Sequence, residues 1–107
     1  MLKMKNDLSV QEVVAAVSKA TGIGVDDIMK RDRHRNIADS RMVVYFLLHT
    51  LYGMNFCAIG RKMHRTHAAI RYGVLQVGFW LDETKPRDKH TKDNCNIVKQ
   101  VIKQLKP

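Results

Sequence analysis

The run from Met42 to Tyr52, MVVYFLLHTLY, leaves a folded chain few options. It is apolar on nearly every face, so a helix over about Arg41 to Tyr52 has to sit at the centre with neighbours around it. Gly53 is its natural stop. The rest of the sequence reads as what covers that helix.

Upstream, Val10, Val13, Val14 and Val17 recur at helical spacing and predict a helix from Leu8 to Thr21. Ser9 is a candidate N-cap, Glu12 would complete a capping box, and Gly22 ends the helix. Val25 to Met29 reads as a short second helix with Asp26 and Asp27 in its first turn, where the helix dipole favours acids. Lys30 to Asn36 holds no apolar residue and reads as a loop, after which Asp39 or Ser40 can cap the central helix.

Downstream, Asn55 can cap a helix from Phe56 to Lys62 with Ile59 and Met63 inward. A basic turn through His64 and Arg65 leads to a long helix from near Thr66, its buried stripe being Ile70, Val74, Val77 and Leu81. Asp82 to Lys92 is a polar connector containing Pro86. A last helix over about 93–106 packs Ile97, Val98, Val101, Ile102 and Leu105, with Lys99, Lys103 and Lys106 facing water. No strand pattern or internal repeat emerges. The expectation is all-α, a compact bundle of about six helices forming one domain over residues 1–107.

Within it, Asn55 to Leu81 has the order short helix, tight turn, long helix. That is a helix-turn-helix, whose second helix offers its N-terminal side chains to base edges in the DNA major groove while the first braces it. The charge agrees. Residues 28–71 carry nine basic and two acidic side chains, net +7 of the chain's +9, and five of the nine lie between Lys30 and Arg41. Such a focused patch is the footprint of a polyanion, and arginine's planar fork suits phosphates and base edges. Arg61 and Lys62 would pair with phosphates, fixing register without reading sequence.

Other classes stay open from the residues alone. Cys57, His64 and His67 could be ligands of a metal enzyme, but C-x6-H-x2-H matches no usual zinc pattern, and Cys57 reads better as a small core residue. No paired carboxylates, nucleophile motif or phosphate-cradling loop appears, so neither catalysis nor a cofactor is expected. An interaction adaptor could use the last helix or the face around Phe79 and Trp80, though both aromatics are expected to pack inside. A helix-turn-helix can also bind RNA hairpins, and nothing decides between monomer and dimer. Cys57 and Cys95 are too few for a disulfide framework, and no signal peptide or long apolar run is seen, so a cytoplasmic protein without membrane contact is expected.

Val25 to Leu51 followed by Phe56 to Val74 resembles the C-terminal DNA-binding domain of the bacterial replication initiator DnaA, and weaker similarity extends from Val10 to Leu105. The family signature, close to Gly-Arg-Asp-His-Thr-Thr-Val, is matched by His64-Arg65-Thr66-His67-Ala68-Ala69-Ile70. The resemblance implies that Arg33, in a basic loop with Lys30 and Arg31, enters the minor groove beside Arg35 and Arg41. It also implies that Arg65 and His67 touch bases and backbone at the major groove. Ala68 and Ala69 replace the two threonines, keeping an apolar contact and losing a hydroxyl. Thr66 replaces the aspartate and can still cap the helix, and Arg71 stands where the family has an apolar residue. The implied partner is double-stranded DNA, alongside other replication or regulatory proteins, in replication initiation or transcription regulation. Complete initiators carry an ATPase domain; here no Gly-x-x-x-x-Gly-Lys-Ser/Thr motif occurs, so no nucleotide is expected and the chain reads as a stand-alone DNA-binding module.

Overall fold

In the computed structural model Met42 to Thr50 of the apolar run lie in α3, Arg35–Thr50, which packs against every other helix, while Leu51 and Tyr52 form the turn that follows. Val44, Leu47 and Leu48 have no exposed surface. The residues described are 2–30, 34–84 and 86–105; the side chains of residues 2–9 and of Arg35 lie outside that description. Around α3 stand α1 (Leu2–Thr21), α2 (Val25–Met29), α4 (Phe56–Met63), α5 (His67–Leu81) and α6 (Lys89–Leu105), with no strand among the described residues. The fold is an all-α bundle with a Cα radius of gyration of 13.0 Å.

The inner faces follow the sequence periodicity. Val13, Val14 and Val17 of α1 are buried, as are Ile59 and Met63 of α4, Ile70 and Val77 of α5, and Val98 and Val101 of α6. On α5 the stripe is rotated slightly, with Gly73 and Trp80 buried and Val74 and Leu81 only partly so. Trp80 is 6% exposed and Phe79 58%, so one of the two aromatics packs inside and its neighbour faces water. Gly73 has a packing reason: a Cβ there would lie 2.8 Å from Tyr45 Cδ2 and 3.0 Å from Met42 Cγ, so glycine lets α5 close onto α3.

Three helices start earlier than expected. α1 begins at Leu2, which puts Ser9 inside the helix and removes the capping box. Glu12 instead accepts a long hydrogen bond, 3.4 Å, from the Tyr52 hydroxyl. No glycine or proline interrupts Leu2 to Thr21, and extending a nucleated helix is far easier than starting one. α3 begins at Arg35, so Arg35 and Asn36 belong to the helix and Asp39 and Ser40 are interior rather than caps. Their polar groups are met another way: Ser40 Oγ donates to Asn36 O at 2.9 Å, and Asp39 Oδ2 takes His90 Nε2 at 2.8 Å and Asn94 Nδ2 at 3.2 Å. This polar clasp fastens the start of α6 to α3. α6 begins at Lys89 because Asp88 caps it, Oδ1 accepting from Thr91 N at 2.8 Å.

Candidate nucleic-acid interface

The turn between α4 and α5 is made by its own residues. Asn55 Oδ1 accepts from Ala58 N at 2.8 Å and opens α4. His64 closes it in the left-handed conformation, φ 56 and ψ 49, and Arg65 N then reaches back to Gly60 O at 2.9 Å. Gly60 lets the turn close this tightly, since a Cβ would lie 2.7 Å from the Arg65 carbonyl oxygen. Thr66 Oγ1 accepts from Ala69 N at 3.1 Å and opens α5. The threonine at the signature's aspartate position therefore does cap the helix.

Past that cap, His67, Ala68, Ala69 and Arg71 are exposed, while Ile70 is fully buried and holds the tip to the core. Arg61 and Lys62 are exposed on the last turn of α4. Arg61, His64, Arg65, Thr66 and His67 line one shallow groove with Cys57 and Gly60. Behind His67 stands a short aromatic series that local sequence did not single out. The Phe56 ring lies edge-on to His67 with centroids 5.6 Å apart, and His49 lies 4.6 Å from Phe56 on the other side. His49 is itself held by a 2.9 Å contact from Nδ1 to Met54 O. Only the bulk of Phe56 just after the Asn55 cap hinted at this support.

Arg65 and Arg41, both expected at the DNA, are placed differently. Arg65 is half-buried, and its guanidinium reaches Met63 O at 3.2 Å, His64 O at 3.1 Å and, across the fold, Lys30 O at 3.0 Å. Arg41 is 9% exposed and its Nε donates to Ile28 O at 2.9 Å. It is not at the surface expected for it: α3 turns it inward, under the end of α2. Between them Tyr45 is buried, which pushes its phenol pKa upward, and the positive charges of Arg65 and Arg41 oppose that shift. Two arginines thus grip the end of α2, where Lys30 leaves in an extended conformation. Arg31 and Arg33 lie outside the described residues, and Arg35 is described as the first residue of α3 only.

Cys57 corrects another expectation. It is exposed, and Cys95 is the buried one, because Ile59, Gly60 and Met63 supply the inner face of α4. Although Cys57, His64 and His67 share the groove, no three His, Cys, Asp or Glu among the described residues are placed to hold a metal ion. Nor is any described helix long and apolar enough to cross a membrane.

A capped helix tip held out from the core behind a glycine-tight turn defines a helix-turn-helix domain. The family described as bacterial dnaA protein helix-turn-helix matches residues 10–77, and the chain belongs to that family. Membership makes it a domain of the DNA-binding type, with double-stranded DNA as the partner class.

Proposed function

We propose that residues 1–107 form one domain that binds duplex DNA sequence-specifically by gripping two grooves. α5 enters the major groove tip first, with His67, Ala68, Ala69 and Arg71 toward base edges and phosphates and Thr66 at the rim. The loop from Lys30 through Arg31 and Arg33 to Arg35 reaches the neighbouring minor groove. Arg61 and Lys62 neutralise phosphates. The observation that carries this reading is the bond from Arg65 to Lys30 O, which ties the turn before α5 to the root of the basic loop. Arg65 and Arg41 act here as positioning residues, setting the distance between the two grips.

The process served is replication initiation or transcription regulation in the cytoplasm, with no catalytic step. Since Ala68 and Ala69 have lost the threonine hydroxyls, the site read differs from that of relatives carrying threonines.

Selection of bound sites from a random duplex library tests the reading. Enrichment of a short asymmetric motif is expected, and a palindrome would point to a two-fold repressor instead. With roughly six phosphates neutralised, log affinity falls against log salt with a slope of about −5. A flat salt dependence, or structured RNA outcompeting duplex DNA at matched salt, would sink it. Arg33→Ala is expected to weaken A/T-containing sites most.

A further inference from the structure

The outward side of a surface helix normally carries polar residues. α5 keeps to this only at its tip. Beyond Arg71, Tyr72, Leu75 and Phe79 are 61%, 52% and 58% exposed. At 3.6 residues per turn they fall on one strip that continues the line of Ala68. Beside the strip, Gly78 is also exposed, and a Cβ there would meet nothing within 4 Å. No tight contact among the described residues calls for glycine at this helix-interior position, where it is unfavourable. The face therefore combines three large apolar side chains with a glycine that the isolated fold does not use.

We propose that this face binds the same face of a second copy of the chain, α5 against α5, antiparallel about a two-fold axis. Pairing centred between Leu75 and Phe79 sets each Leu75 against Phe79 of the other copy and over its Gly78, whose missing Cβ lets the two helices close. The charges at the ends select this direction. Arg71 stands at one end of the strip and Asp82 just past the other, on the same flank. Antiparallel pairing keeps equivalent flanks on the same side of the seam and brings each Arg71 beside Asp82 of the other copy, twice by symmetry, whereas a parallel two-fold puts equivalent flanks on opposite sides and makes neither contact. A surface that complements itself in shape and sign points to its own copy as occupant.

A second consequence rests on the DNA-binding reading. The strip begins at the helix tip and its flank includes Arg71, so a paired α5 cannot enter a groove. Self-association and DNA binding exclude one another, and the dimer stores the reading helix out of use.

Sedimentation of the full chain without DNA tests the surface. A seam built on Tyr72, Leu75, Gly78 and Phe79 has far fewer residues than the ~20–30 a side of a standard interface, so half-association is expected at roughly 10–100 µM. Phe79→Glu and Gly78→Gln should each raise that midpoint at least about tenfold. Gly78→Gln is decisive because no described residue lies within 4 Å of the added Cβ: it should raise the melting temperature while weakening pairing. Arg71→Glu should weaken pairing and Asp82→Arg added to it should restore it. A wild type that stays monomeric to about 500 µM, or variants that pair like wild type, would overturn the proposal. Titration with duplex DNA should dissociate the dimer; a DNA-bound dimer still sensitive to Gly78→Gln would overturn the exclusion. A chain that dimerises and binds no DNA would instead overturn the DNA-binding reading alone.

Discussion

Arg41 and Arg71 contribute one positive charge each to the same central patch, and the fold gives them opposite work. The region around Arg41 is an inner junction, where Arg41 and Arg65 spend their donors on the carbonyls of Ile28 and Lys30 against the buried Tyr45 ring. The region around Arg71 is an outer face, where the first turns of α5 leave His67, Ala68, Ala69 and Arg71 in water. Charge counted along a sequence thus mixes groups that fix geometry with groups that meet a partner. Only backbone carbonyls brought in from other helices tell them apart.

Substitutions should separate the two regions by what they disturb. The largest loss of stability is expected for Arg41→Met, about 2 to 3 kcal/mol in urea unfolding, because the Ile28 carbonyl keeps its burial and loses its donor. An unchanged midpoint would mean that this bond contributes nothing. Gly60→Ala should follow at about 2 kcal/mol, since its methyl meets backbone that cannot swing away. Arg65→Lys should cost about 1 kcal/mol, because an ammonium cannot span three carbonyls. DNA affinity should fall as well, even though the charge is kept and the protein remains folded. If affinity held, the junction would not set the spacing of the grips.

His64→Gly should act in the other direction and stabilise by about 0.5 kcal/mol, by relieving a left-handed conformation that a side chain resists. Smallest for stability is Arg71→Ala, within about 0.5 kcal/mol. In a binding assay the ranking turns over: Arg71→Ala should lower affinity about tenfold and reduce the salt slope by about 1. A thermal shift larger than the binding loss would move Arg71 into the structural group.

Much of the fold was legible because its punctuation is local. Gly22 and Gly53 sit at positive φ, Asn55 and Thr66 make the side-chain caps their residue types promise, and the valines of α1 and α6 face inward at helical spacing. The three displaced helix starts share one cause. Local sequence marks the starts of α1, α3 and α6 by the first attractive cap or apolar residue, and the helices run further back. For α3 the reason lies some fifty residues away: Asp39 and Ser40 resemble caps, yet Asp39 is held by His90 and Asn94. Asp88 ahead of Thr91 was a readable cap that the polarity of the connector obscured. At the tip of α5, the exposed positions of Thr66, His67, Ala68, Ala69 and Arg71 could be located from the helix-turn-helix spacing alone. The inward turn of Arg41 and the outward turn of Cys57 could not, since each depends on which side of its helix the neighbours occupy.

The bond from Arg65 to position 30 lands on a main-chain oxygen. It is therefore indifferent to the side chain carried there, and the loop it anchors can be rewritten without dismantling its mooring. Under the proposed two-groove mode, replacing the segment after Lys30, or the outward residues of α5 past Thr66, would change what is read and leave the separation of the two grips intact. A scaffold with that property is suited to acquiring new DNA targets one groove at a time, by natural drift or by design.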